Sequence, residues 1–290
     1  MDIRTIGILS PGDMGEATGQ ALIAKGFTVL TALNGRSERT RTLAQKAGIT
    51  NAGSIDQLVR QCDVILSILV PSAALTTAQQ VAAAMRATGA KPLYADCNAI
   101  APQTTRQAGE IIGAAGARFV DGSIIGPPPR GQAVTRFYFS GVDAAAMTPL
   151  ENPRMKVVIL GNEAGEASAL KMCYSAFNKG LQALATELFV AAERLGVEPR
   201  LREELLKTRA PTYEWLLKSI PEMPPKAHRW VREMEEIALT FESTGLTPKV
   251  FQGVAEMYRW VSDTKLGKQA PEERDRSIEG AEVVRRLARD

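Results

Sequence analysis

The segment that most constrains the fold is a glycine-containing turn close to the amino terminus. An apolar stretch at residues 5–9 leads into this turn, and a helical pattern at 16–25 and a second apolar stretch at 28–33 follow. Strand, turn, helix and strand within about thirty residues is the βαβ arrangement that binds a dinucleotide. Such a turn needs glycines because a pyrophosphate approaches bare backbone N–H groups at the helix N-terminus. We predict cofactor contacts from Ser10, Pro11, Gly12, Asp13, Met14 and Gly15.

Only two of the three expected glycines are present in this turn. Gly12 and Gly15 stand at the second and third positions of the pattern, and Ser10 stands at the first. A turn of this kind is also compatible with an ordinary connection between a strand and a helix. The apolar strands on both sides of the turn favour the nucleotide-binding interpretation.

The residues after the second predicted strand bear on which dinucleotide is bound. Enzymes that prefer NAD carry an acidic residue about twenty positions beyond the glycines, where it binds the ribose 2′-hydroxyl. Residues 33–37 contain no carboxylate, but they offer a guanidinium and a hydroxyl, which suit a 2′-phosphate. We predict NADP, with NAD as the alternative, and contacts from Asn34, Arg36 and Ser37.

Composition argues against several other classes of function. The chain has 290 residues, 45% of them hydrophobic, and its net charge of +3 comes from scattered residues, so we expect no nucleic-acid partner. The longest apolar run is too short to cross a membrane, and the first strand begins too early to leave room for a signal peptide. With one histidine, no metal site is expected. Cys62, Cys97 and Cys173 are expected to be reduced core residues of a cytoplasmic protein.

The order of the predicted elements gives the fold class, which is α/β. Strand and helix patterns alternate through residues 1–162, whereas every signal in residues 163–290 is helical. We predict an N-terminal Rossmann-like, doubly wound parallel sheet followed by an all-α C-terminal domain. The later strands are expected at residues 49–51, 63–70, 93–96, 118–125, 135–140 and 156–160.

One lysine stands out on the long helix predicted at residues 165–195. The first half of this helix has only two charges, so we expect it to be buried on most sides. Its apolar stripe consists of Leu170, Phe177, Leu181, Leu184, Leu188 and Leu195. Lys171 lies off the stripe, on a face with Ser175 and Asn178. A desolvated lysine in this setting exchanges a proton with a hydroxyl or carbonyl group; the alternative is an ordinary solvated lysine.

Several separated motifs agree with one family. They lie at residues 12–15, 68–71, 96–102, 119–126, 165–171 and 232–234. Together they resemble the β-hydroxyacid dehydrogenases, the group that includes 6-phosphogluconate dehydrogenase, over nearly the whole chain. The resemblance implies that Lys171 is the general acid/base. It also implies cofactor contacts from Leu69, Val70, Pro71 and Asn98.

The same resemblance points to residues that orient the substrate. Arg232 matches a residue that faces the nicotinamide, and His228, near a helix start, is a candidate for binding a carboxylate or phosphate. In the loop of residues 126–131, Arg130 is a second candidate anion donor; the alternative is that this loop is only a rigid crossover. The predicted substrate contacts are Asn98, Ser123, Gly126, Tyr174, Ser175, Asn178, His228 and Arg232. Ile125 and Pro127 replace a serine and a glycine of the family's substrate loop, so we expect a changed substrate.

We therefore predict an NADP-dependent oxidoreductase that transfers hydride between nicotinamide and a small hydroxy or oxo compound, with Lys171 moving the proton. One alternative is an imine reductase-like enzyme, for which Tyr174 is the relevant residue. Another is an NADP-binding regulatory protein without catalysis. Relatives pair through the helical domain, which implies a homodimer.

Overall fold

The computed structural model describes residues 2–290, and the chain divides into two compact units. The first unit ends at Met172, and the second runs from Cys173 to Asp290. This division falls inside a long helix, whereas the predicted boundary at residue 162 precedes that helix. Within the described range, no helix combines the length and apolar character that crossing a membrane requires.

The described strands of the first unit form one eight-stranded sheet. They are β1 (Thr5–Leu9), β2 (Thr28–Thr31), β3 (Thr50–Asn51), β4 (Val64–Ser67), β5 (Leu93–Asp96), β6 (Phe119–Ile125), β7 (Thr135–Ser140) and β8 (Met155–Gly161). Their order is β3-β2-β1-β4-β5-β6-β7-β8. The strands from β1 to β6 are parallel, and β7 runs antiparallel to β6. The winding direction reverses between β1 and β4, and sheets of this kind bind ligands beyond the carboxyl ends of the strands at that point.

Helices cover both faces of this sheet. They are α1 (Asp13–Ala24), α2 (Glu38–Ala47), α3 (Ile55–Gln61), α4 (Ala74–Thr88) and α5 (Pro102–Gly113). Successive strand residues point to opposite faces, so Ile8 joins one buried cluster and Leu9 the other. Because both faces are covered, the central parallel strands are continuous apolar runs, as is usual for parallel sheets. The predicted doubly wound sheet is confirmed.

The second unit is helical. The long helix α6 (Glu166–Arg194) begins in the first unit and continues into the second, which contains α7 (Glu198–Ser219), α8 (Ala227–Glu242), α9 (Lys249–Asp263) and α10 (Gly280–Arg289). Helix α7 is kinked at Arg209, whose φ is −146°, because Pro211 removes an N–H group and its ring clashes with the preceding turn. Helices α8 and α9 meet through the edge-to-face pair Trp230 and Tyr258, with centroids 5.3 Å apart.

The apolar stripe of α6 differs from expectation. Its helical spacing is as predicted, but Phe177 is 62% exposed, Leu184 60% and Leu195 75%. Periodicity identifies an apolar face without saying what covers it, and the chain leaves this face open. The expectation of three core cysteines is likewise wrong for Cys173, which is exposed on the same helix, whereas the other two are buried.

Candidate cofactor site and active site

The glycine turn joins β1 to α1 with a left-handed residue. Ser10 has a φ of +55°, and its carbonyl accepts a 2.7 Å hydrogen bond from the Gly12 N–H. Helix α1 consequently begins at Asp13, three residues before the start predicted from the pattern. A Cβ on Gly12 would meet only the Ser10 carbonyl, at 4.0 Å, so the space before the helix N-terminus is open. A Cβ on Gly15 would lie 3.3 Å from Ile8, so this glycine lets the helix approach the strand.

This turn fits a dinucleotide. Open space faces backbone N–H groups at the N-terminus of a twelve-residue helix, where the helix dipole favours an anion. A side chain at Gly12 would fill the place that a pyrophosphate needs. The residues at the carboxyl end of β1 therefore satisfy the requirements of the phosphate-binding part of the site.

A cavity of about 420 Å³ lies beyond β2, where the ribose of a dinucleotide and its 2′ substituent would bind. Asn34, Gly35 and Arg36 line it together with Ser54. The cavity thus brings together two of the three residues predicted to select the cofactor. Ser37 does not line it, because its hydroxyl caps α2 by accepting a 3.3 Å bond from the Thr40 N–H.

Asn98 ties together the carboxyl ends of β4 and β5. Its amide oxygen accepts a 2.5 Å bond from the Leu69 N–H, and its amide nitrogen donates to Ser67 and Asp96, at 2.9 Å each. The residue is 2% exposed. The backbone after β4 is therefore held by the Asn98 side chain and not by a neighbouring strand. As a result, Val70 and Pro71 lie outside the hydrogen-bond ladder of the sheet. These two are exposed and half-buried, respectively.

Asp121, in the middle of β6, anchors the start of α6. Its carboxylate accepts bonds from the N–H groups of Gly165 (2.8 Å) and Ser168 (3.0 Å) and from the hydroxyls of Ser140 (2.9 Å) and Ser168 (2.6 Å). Two residues on, the Ser123 hydroxyl donates to the Ala167 carbonyl at 2.5 Å. A carboxylate at this place satisfies the otherwise unpaired amides of a helix start and complements its dipole.

Lys171 lies one turn further along α6, and its amine donates to the Ile124 carbonyl at 2.9 Å. Ile124 is the sixth residue of β6, so the bond places the amine at the carboxyl end of that strand. This is the edge at which the glycine turn after β1 and the Asn98 segment after β5 also lie. The side chain is half-buried.

The buried carboxyl groups behind this edge have perturbed acidity. Burial raises the pKa of Asp96 to about 7, although Asn98 donates two hydrogen bonds to the carboxylate. Burial also raises the pKa of Asp121, and the bonds from Ser168, Ser140 and Gly165 oppose that rise. Neither group was a predicted site residue. An acidic residue inside an apolar strand was the available signal for both.

The remaining predicted substrate residues differ in their exposure to solvent and in whether their side chains bind other groups of the protein. Gly126, with a φ of +127°, opens the loop after β6. In the second unit, Tyr174 is 48% exposed and Ser175 is buried, and the Asn178 side chain donates to the Tyr174 carbonyl at 2.9 Å.

Two predicted basic residues lie on α8. His228 lies in the first turn of this helix, and much of its surface is open to solvent. Desolvation of the rest of the ring and the positive charge of Arg229 lower the pKa of the imidazole. Arg232 forms ion pairs with Glu235 (3.1 Å) and Glu236 (2.8 Å) of its own helix. The arginine is therefore occupied by carboxylates within the unit.

Arg130 is also engaged by carboxylates. Its guanidinium binds Asp13 and Glu16 in the first turn of α1, with a 2.7 Å bond to the Asp13 carboxylate. The loop of residues 126–131 therefore reaches the glycine turn, a contact between residues more than a hundred positions apart. Among the described residues, no group of three or more His, Cys, Asp or Glu side chains could hold a metal ion.

Comparison with known proteins places the chain in a family. Residues 5–151 match the NAD binding domain of 6-phosphogluconate dehydrogenase, and the chain belongs to this family. Residues 192–261 match a domain of unknown function, DUF1932. The chain is 29% identical, over 89% of its length and 99% of the relative's, to an uncharacterised 28.5 kDa protein of Methanothermus fervidus.

Solved structures share the fold. A conserved protein of unknown function, described as similar to 3-hydroxyacid dehydrogenases, is 29% identical with a TM-score of 0.67 over 92% of this chain and all of its own. 3-Hydroxyisobutyrate dehydrogenase of Mycobacterium tuberculosis has 19% identity and a TM-score of 0.70, over 99% of both chains. A reductive aminase of Aspergillus terreus, solved with NADPH, has 17% identity and a TM-score of 0.57, over 93% of this chain and 98% of its own. The chain thus has a nicotinamide-dinucleotide-binding, 3-hydroxyacid dehydrogenase-like fold, which is a fold of oxidoreductases.

Proposed function

We propose that the protein is an NADP-dependent oxidoreductase that passes a hydride between nicotinamide and a small hydroxy or oxo compound. Family membership supports the dinucleotide, and the open glycine turn supports a site for its pyrophosphate. The observation that carries the proposal is the amine of Lys171, held by the Ile124 carbonyl at the carboxyl end of β6. A primary amine at the ligand-binding edge of such a sheet is suited to proton transfer.

Lys171 supplies the proton that accompanies the redox step. A bound nicotinamide supplies the hydride or accepts it. In reduction, the ammonium of Lys171 donates a proton to the carbonyl oxygen as that oxygen becomes a hydroxyl; in oxidation, the neutral amine takes the proton back. The bond to Ile124 fixes the direction of the amine, which matters because proton transfer requires aligned groups.

The other predicted substrate residues take two different roles in this proposal. Asn98 and Ser123 shape the edge, because their polar groups bind the protein itself. Gly126, Tyr174, Ser175 and His228 remain proposed contacts with the substrate. Asn178 and Arg232 remain proposed contacts as well, although substrate would have to share their side chains with groups of their own helices. The replacement of family residues by Ile125 and Pro127 favours a substrate other than a simple hydroxyacid.

The preference for NADP rests on the cavity beyond β2. Arg36 and Asn34 line it, and a guanidinium pairs with a phosphate through two parallel hydrogen bonds. Replacing Arg36 with alanine should therefore weaken NADPH binding by about tenfold or more and leave NADH binding unchanged. Equal losses for both cofactors would contradict the assignment.

Imine reduction is the second candidate. The reductive aminase of Aspergillus terreus shares the fold, and Tyr174 presents a half-exposed phenol one turn after Lys171. An NADP-binding regulatory protein without turnover is the third. In that case the amine of Lys171 would have no chemical role.

One assay separates the three candidates. The purified protein is incubated with NADPH or NADH and a panel of keto acids, aldehydes and cyclic imines, and with NADP and hydroxyacids or alcohols in the other direction, while nicotinamide absorbance is followed. Turnover of a carbonyl or hydroxy compound supports the leading proposal. Turnover of imines alone supports the second candidate, and tight NADPH binding without turnover supports the third.

We further propose that the protein is a homodimer that pairs through its helical unit. An apolar groove of about 1150 Å³ lies between α6 and α9, lined by Phe177, Leu184, Val250 and Trp260 among others. Phe177, Leu184 and Val250 are each about 60% exposed along this groove, and a row of exposed apolar side chains favours an interface.

The three cysteines are free thiols, which supports the cytoplasmic location proposed from the sequence.

A further inference from the structure

Two carboxylates stand where the proposed cofactor brings negative charge. Asp13 and Glu16 lie in the first turn of α1, directly after the glycine turn. Glu16 is 1% exposed, so water screens its charge poorly. Carboxylates at this place favour the helix itself, because they complement its dipole. The same charges oppose a pyrophosphate at the helix N-terminus.

The guanidinium of Arg130 binds both carboxylates. Its Nη1 donates to the Asp13 carboxylate at 2.7 Å, its Nη2 to the Asp13 carbonyl at 2.9 Å, and its Nε to Glu16 Oε2 at 3.1 Å. Nη2 also forms an ion pair with Glu16. One planar guanidinium therefore joins two acidic side chains, an arrangement that the single ammonium of a lysine does not reproduce.

The loop that carries Arg130 is built to hold it there. Three consecutive prolines precede the arginine and restrict the backbone, so little conformational freedom is lost when the loop docks. Gly126 and Gly131 allow the left-handed turns at its two ends, with φ values of +127° and +56°. The Arg130 carbonyl accepts a 3.0 Å bond from the Ala133 N–H.

We propose that Arg130 is a positioning residue for the dinucleotide: by neutralising Asp13 and Glu16, it keeps the glycine turn receptive to a pyrophosphate. The proposal rests on the function proposed above and extends it. It concerns the pyrophosphate, which NADPH and NADH share, so the effect of Arg130 is independent of the 2′-phosphate.

The test is a charge-compensation cycle with four proteins: the wild type, Arg130→Met, Glu16→Gln and the double variant. Dissociation constants for NADPH and NADH are measured by calorimetric titration. Arg130→Met should weaken both cofactors by the same factor, on the order of ten- to a hundredfold. Glu16→Gln should bind at least as well as the wild type. The double variant should recover most of the affinity that Arg130→Met loses.

Two further variants serve as controls. Arg136→Met makes the same substitution at an exposed position of β7 and should leave both dissociation constants unchanged. Arg130→Lys keeps the charge without the planar fork, so its affinity should lie between those of the wild type and Arg130→Met. This variant keeps the proposal testable if Arg130→Met does not fold.

The outcomes are distinguishable. Wild-type affinity in Arg130→Met, or a loss that the double variant does not recover, would overturn the neutralising role of Arg130. A loss for NADPH alone would also overturn it, since the 2′-phosphate would then be the group sensed. If the wild type binds neither dinucleotide, the proposed function itself fails.

Discussion

Replacement of Asp121 by alanine should destabilise the first unit by about 4 kcal/mol. The carboxylate accepts four hydrogen bonds, two of them from the buried N–H groups of Gly165 and Ser168. In the alanine variant the hydroxyls can turn to other partners, as Ser168 already pairs with Thr105 at 2.7 Å, but the two amides cannot. Each orphaned amide costs about 1–3 kcal/mol.

Asparagine at the same position should cost only about 1 kcal/mol. Its amide oxygen can accept the bonds that the Asp121 Oδ2 atom receives, and its amide nitrogen can donate to the Ser168 hydroxyl. What is lost is the charge, and its loss costs little, because burial raises the pKa of Asp121 despite the hydrogen bonds that favour the charged form.

The two variants are compared by urea unfolding and by hydrogen exchange at the start of α6. We expect faster exchange of the Gly165 and Ser168 amides in Asp121→Ala than in Asp121→Asn. The reasoning is refuted if alanine costs less than about 1 kcal/mol, or if asparagine is as damaging as alanine.

Three further predictions concern strain, pH and assembly. Ser10→Gly removes a left-handed serine with a φ of +55° and should raise the free energy of unfolding by up to about 1 kcal/mol without weakening NADPH binding; a destabilised variant would show that the hydroxyl has its own role. Because burial raises the pKa of Asp96 from 3.8 to about 7, its folded form retains a proton that the unfolded chain loses above pH 4. The stability of the wild type relative to Asp96→Asn should therefore fall by about 4 kcal/mol between about pH 4 and pH 7, measured by urea unfolding; a flat or rising difference would contradict the shift. Leu184→Glu, at a 60% exposed position, should convert the proposed dimer to a folded monomer in light scattering, whereas an unchanged mass would remove α6 from the interface.

The sequence predicts those elements that follow from local pattern. Strands β5 and β7 have the predicted bounds. Strand β5 is a short, mostly apolar run that follows Pro92, and β7 is a run of aromatic and other strand-favouring residues that ends before Gly141. Strand β4 was predicted to extend to Val70 but ends at Ser67, since the Leu69 N–H bonds to the Asn98 side chain instead of a neighbouring strand. A continuous apolar run does not record where the hydrogen-bond ladder stops.

The site was predicted less completely than the fold, because its contacts join residues distant in sequence. Lys171 could be found from its low-charge helix and its motif. The role of Asp121 depends on amides about forty-five residues later, and that of Arg130 on carboxylates more than a hundred residues earlier. No local pattern encodes such partners.

The most direct test of the account measures turnover and NADPH binding in Lys171→Met, with Lys156→Met, at an exposed position of β8, as the matched control. We predict that Lys171→Met loses turnover by at least about a hundredfold while its NADPH dissociation constant stays within about twofold of the wild-type value. The control should match the wild type in both. Lys171→Met turnover close to that of the control would contradict the proposed chemistry.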